Sequence, residues 1–139
     1  MSAPPPSTRR TLTPLRSASI LLFLLALGRG AGGLVLLLAG ERAITEQQVA
    51  PDPPLAAVGI MLLVVAALAV LSGWLLWRRA RVGTLLTIVT IVLFVAGGFI
   101  NGTLLYGRPV ETGAVINLLL AGGIALFLYM GRGEIRARD

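Results

Sequence analysis

Arg29 is the one charge set inside an apolar run, in Gly28-Arg29-Gly30-Ala31-Gly32-Gly33. A guanidinium is permanently cationic and carries only N–H donors, so its chemistry is the holding of anions such as a carboxylate or a phosphate. The glycines around it weaken the helix and expose backbone carbonyls, a second source of acceptors. Two neutral amides, Asn101 and Asn117, lie in other apolar runs and can both donate and accept. Together Arg29, Asn101 and Asn117 are the candidate binding residues for an anion, a lipid phosphate or a partner's carboxylate. The glycine-rich stretch is not a phosphate loop, because it lacks the Lys-Ser/Thr pair and the strand-to-helix setting of that motif.

The residues that are missing narrow the chemistry further. The chain has no His and no Cys, so no imidazole or thiolate can act as base, nucleophile or metal ligand. General acid–base catalysis then needs a positioned pair of carboxylates, and no apolar run contains even one. The sequence therefore predicts a protein that is not an enzyme, with no metal and no cofactor.

The elements that must position these residues follow from hydropathy. Of the 139 residues, 56% are hydrophobic and 13% charged, against roughly 45–50% and 25% in soluble domains. The charges cluster between uncharged runs long enough to cross a bilayer, for which about 20 residues suffice. The fold class expected is an all-α integral membrane protein, a four-helix transmembrane bundle over about 17–130, with spans near 17–39, 55–77, 82–105 and 112–130. Residues 1–16, rich in Pro, Ser, Thr and Arg, read as a disordered basic arm, and 131–139 as a short basic tail. Thr8-Arg9-Arg10-Thr11-Leu12 looks faintly like a twin-arginine export signal, with Ala26-Leu27-Gly28 as a cleavage site. Apolar sequence resumes at Leu34, so a retained anchor is expected.

Every basic residue is an arginine, and their distribution sets the orientation. Arg9, Arg10, Arg16, Arg78, Arg79, Arg81, Arg132, Arg136 and Arg138 fall on one side, Arg42 and Arg108 on the other. The positive-inside rule puts both termini in the cytoplasm, a multi-pass protein of the cell's inner membrane. The net charge of +6 is explained by this asymmetry and by attraction to anionic lipids, with no nucleic acid partner.

Lipid tails give helices little hydrophobic reason to associate, so small residues mark the faces that meet. Gly28, Gly32 and Gly33 share an arc of the first span; Gly59, Ala66 and Gly73 recur every seventh residue in the second; Gly98 and Gly102 mark the third. Gly113, Asn117, Ala121 and Ala125 recur at helical spacing in the fourth. Ala-Gly-Gly at 31–33, 96–98 and 121–123 is read as packing composition and not as a repeat.

Arg29 lies about eleven residues from either end of its span, about 16 Å at 1.5 Å per residue, too deep for full snorkelling to the interface. The expected acceptors are Asn101, Asn117, Thr87, Thr90, Ser72 and loosened carbonyls. The function expected is that of a small non-catalytic accessory subunit docking on larger membrane proteins. The alternative is a small oligomeric transporter or channel for an anionic solute, with Arg29 in a polar pocket. Small multidrug-resistance exporters have four spans and similar length, but depend on a Glu in the first span. Small dimeric fluoride channels carry a Thr/Ser/Phe-rich motif in the third. This chain has neither.

Overall fold

The computed structural model describes residues 12–43, 52–109 and 112–136. Its first helix, α1, runs Pro14–Ala39 and starts three residues before the expected span, because a proline in the first turn forfeits no hydrogen bond. It stops at Gly40, whose positive φ of 55° bends the chain while its N–H bonds to the carbonyl of Leu36. A short 3-10 turn, Gly40–Ala43, follows. Helix α2, Leu55–Trp77, begins directly after Pro53-Pro54. Its link to α3, Arg81–Tyr106, is tight because Arg79 adopts a left-handed backbone with φ 57° and Ala80 N–H reaches the carbonyl of Leu75 at 2.9 Å. Helices α4, Thr112–Met130, and α5, Arg132–Arg136, complete the chain. The last of these makes part of the expected tail helical. The expected disordered arm lies, for residues 1–11, outside the described residues, as do 137–139.

Helix α1 packs against α2 and α4, and α3 packs against the same two, so the four long helices close a ring in chain order. All four are long and apolar enough to cross a membrane. Their outward surface is that of a chain without a polar exterior: Leu27, Leu38 and Leu119 are 71%, 85% and 72% exposed, and such residues are unremarkable singly but unusual as a continuous jacket.

The α1–α2 seam is made of small residues. A Cβ placed on Gly33 would lie 2.8 Å from the carbonyl oxygen of Gly59, and one on Gly30 would lie 3.7 Å from Ala66 Cβ. Further down, Gly73 faces the Phe23 ring and the carbonyl of Ser19. The seventh-residue series in α2 therefore lies along this one contact, the arrangement by which backbones approach closely in the absence of a hydrophobic force. Helix α4 differs from its expected stripe. Its inward face carries Ala114, Ala121, Ile124 and Leu128, while Ala125 and Gly113 are exposed. Alternating steps of three and four hold a face to the core, and successive steps of four drift off it.

The core divides in two. The larger cluster, including Leu15, Leu22, Leu25, Leu76, Phe94, Ile124 and Leu128, fills the end that carries Arg16, Arg78, Arg79, Arg81 and Arg132. A smaller one of Val58, Leu62 and Leu105 lies toward the end of Arg42 and Arg108. The arginine-rich end is closed tightly: a Cβ on Gly131 would fall 2.6 Å from Leu15 Cδ2. Glu134 there accepts from the free N–H of Leu15 at 3.4 Å and pairs with Arg79 at 3.6 Å.

Candidate functional site

Between the two core clusters lies a cavity of about 410 Å³, within the range of small-molecule pockets, roughly 300–1,000 Å³. All four long helices contribute to it. Leu24, Leu25, Gly28 and Arg29 come from α1, Val58 and Leu62 from α2, and Leu120, Ala114 and Asn117 from α4. Phe94, Gly98, Asn101 and Gly102 line it from α3, and Tyr106 and Pro109 stand at its mouth, away from the arginine-rich end. The floor, Leu25 and Phe94, belongs to the larger core cluster, so the cavity ends blindly at mid-helix.

The glycines of α3 create this space. A Cβ on Gly98 would lie 2.6 Å from Asn117 Nδ2, so the bare backbone lets the Asn117 amide lie across α3. Gly102 does the same for the loop. A Cβ there would sit 2.7 Å from the carbonyl oxygen of Arg108 and 3.4 Å from that of Pro109. Gly107, with φ 67°, donates to the Thr103 carbonyl at 3.0 Å, and Arg108 N–H reaches that of Gly102 at 3.3 Å. This left-handed cap turns the chain back over the end of α3 and sets Pro109 at the rim. Gly28, expected at a helix contact, has no atom within 4 Å of where its Cβ would stand; it opens the cavity wall. Gly32 makes only ordinary contact with Leu62 at 3.9 Å.

Arg29 is half-buried, and its guanidinium carbon lies 4.6 Å above the centroid of the Phe94 ring. A ring face attracts a cation but takes up none of its N–H donors. Among the described residues, no carboxylate or hydrogen-bond acceptor meets Arg29. Three of its expected acceptors, Ser72, Thr87 and Thr90, do not line the cavity with it and bond to other groups. Thr87 Oγ1 donates to the Gly83 carbonyl at 2.7 Å and Thr90 Oγ1 to that of Leu86 at 2.8 Å. Ser72 Oγ stands 2.9 Å from Thr90 Oγ1 and must be the donor, since the Thr90 proton is already committed. The Ser72–Thr90 bond ties α2 to α3, whereas the Thr87 bond stays within α3.

Asn101 and Asn117 do line the same cavity as Arg29. Asn101 is only 8% exposed, and its Oδ1 has no hydrogen-bond partner among the described residues. A buried amide oxygen without a partner is costly, so this wall of the site is polar and unsatisfied. Arg29 and Asn101 also share a crevice with Met61, Val65 and Phe94.

Sequence reasoning did not place Phe94, Tyr106 or Pro109 at the site; Tyr106 is expected from it only as an aromatic at the outer end of its span. Depth was the available signal for Phe94: α1 and α3 run in the same direction, and Arg29 and Phe94 fall fifteen and thirteen residues after the first residues of their helices, Pro14 and Arg81. No side-chain cluster suited to a metal ion forms among the described residues. The site offers a fixed cation, two amides and a largely apolar surround with Tyr106 at its mouth, an arrangement that can hold an anionic group. No known protein family, curated protein or solved structure matches this chain.

Proposed function

We propose that this chain is a small, non-catalytic integral membrane protein that binds an anionic group in the cavity around Arg29, as part of a transporter or channel for an anionic solute. Its termini face the cytoplasm and the cavity opens toward the opposite side of the inner membrane. What carries the reading is Arg29 facing a cavity of about 410 Å³ with no acceptor among the described residues. An arginine at the centre of a span costs about 2.5–3.5 kcal/mol on insertion scales, and a bound anion offsets that cost. The grouping of Arg16, Arg78, Arg79, Arg81 and Arg132 at one end supports the orientation by the positive-inside rule.

Docking on a larger membrane complex is the reading that composition alone favours. It accounts for this cavity when a partner's carboxylate enters it, since Arg29 then gains the acceptor it lacks. Extraction in mild detergent followed by native mass determination separates the two. A homo-oligomer supports the first reading, and a mass dominated by larger subunits supports the second.

The direct test is thermal unfolding of the purified protein in chloride, acetate or inorganic phosphate at matched ionic strength, followed by flux of the stabilising anion in proteoliposomes. Binding at 100 times Kd stabilises by about 2.7 kcal/mol, so at least one anion should raise Tm by several degrees. Arg29→Leu should abolish both the shift and the flux. If no anion distinguishes the wild-type protein from Arg29→Leu, the proposal fails.

A further inference from the structure

A second recess, of about 480 Å³, lies at the arginine-rich end where the start of α1 meets the end of α2, and its walls are Arg16, Trp77, Arg78 and Arg79. Indole rings hold two of the cations in place. Arg16 lies 5.4 Å over the Trp77 ring and Arg78 4.5 Å over that of Trp74. Arg79 is turned aside by its left-handed backbone and shares its charge with Glu134. The recess therefore presents a concentrated positive charge beside flat aromatic surfaces. Paired this way, Trp and Arg suit the headgroup level of a bilayer.

Below the recess the surface turns apolar in register with it. Ile20 and Phe23 follow Arg16 by four and seven residues along one face of α1, and both are exposed. Trp74 and Val70 precede Trp77 by three and seven along α2, each 50% exposed. The two stripes are adjacent, because Phe23 packs against Gly73. A cationic head site continuing into an apolar furrow matches a molecule with a phosphate and acyl chains. Free phosphate would use only the upper half.

We infer that Arg16, Arg78 and Arg79 bind the phosphodiester of an anionic phospholipid, with Trp77 against its headgroup and a chain along Ile20, Phe23, Trp74 and Val70. This site is separate from the Arg29 cavity and stands without it.

Trp74 and Trp77 are the two tryptophans of the sequence, so their fluorescence reports this site alone. The protein is reconstituted into phosphatidylcholine vesicles holding a fixed fraction of brominated phosphatidylglycerol or of brominated phosphatidylcholine. The anionic phosphatidylglycerol should quench more strongly, with an enrichment of up to roughly fivefold for each arginine engaged. Arg16→Gln/Arg78→Gln should bring the two lipids to parity, while Arg81→Gln/Arg132→Gln, which removes equal charge from the same end, should leave the preference intact. Equal quenching in the wild-type protein overturns the inference whatever the variants do. So does a preference lost equally in both variants, which would reflect general charge. A preference that collapses in inorganic phosphate, but not in chloride of the same ionic strength, would assign the recess to free phosphate.

Discussion

Replacing Gly33 by alanine tests the packing argument where it is most exposed to failure. The added Cβ would lie 2.8 Å from the carbonyl oxygen of Gly59, 3.0 Å from Leu63 Cγ and 3.2 Å from Leu62 Cβ, where ordinary contact starts at 3.4 Å. The nearest of these is backbone and cannot rotate away, so α1 and α2 must part by about 0.6 Å along their tightest contact. Overpacking of this kind costs about 1–3 kcal/mol. Alanine also favours the helix over glycine by up to about 1 kcal/mol in water, which would mask part of the effect. Gly28→Ala removes that ambiguity. It sits on the same helix, gains the same propensity and meets nothing within 4 Å. The difference between the two variants should then be the clash alone, about 1–3 kcal/mol, with Gly33→Ala the less stable. The assay is unfolding in mixed micelles of rising dodecyl sulfate fraction, followed by far-ultraviolet circular dichroism. Equal midpoints for the two would refute close α1–α2 approach at Gly33.

Two other substitutions separate the cavity from the scaffold. Gly98→Ala places a Cβ 2.6 Å from Asn117 Nδ2, the far end of a side chain that can swing. Stability should change by less than about 1 kcal/mol, while anion-induced stabilisation of the purified protein should weaken as the amide is displaced. Glu134→Gln removes the pairing with Arg79, whose side chains are 40% and 20% exposed. Solvent screening keeps such a pair to about 0–1 kcal/mol. A cycle with Arg79→Gln should therefore show coupling in that range, and coupling above about 2 kcal/mol would mean the arginine-rich end is far drier than its exposure indicates.

Much of this architecture was legible in the sequence because its causes are local. The lengths of the apolar runs fixed the four long helices, and Pro14, Pro53-Pro54, Gly40 and Gly107 mark where helices start or stop. The series Gly59, Ala66 and Gly73 marked the face of α2 that meets α1. Residues lining the cavity were legible as types: a cation and amides in apolar runs are costly and so call for a partner.

Their assembly was not. Helices that are apolar all round carry no strong period to say which way each face turns, which is why Ala125 was expected inside and stands outside. Whether Arg29 meets a hydroxyl, an amide or a ring depends on helix rotation and depth. Packing sets both, through Gly33 against Gly59 on one side and Leu15 against Gly131 on another. The sequence by itself determined where the helices run, which end gathers arginine, and that Arg29 has no carboxylate in any apolar run. Only the tertiary structure decided that Arg29 faces Phe94, that Ser72, Thr87 and Thr90 bond to groups other than Arg29, and that two asparagines and the glycines of α3 leave an open cavity beside it. Hydropathy is a property of each segment, whereas a cavity is what remains when several segments pack as closely as their smallest residues allow.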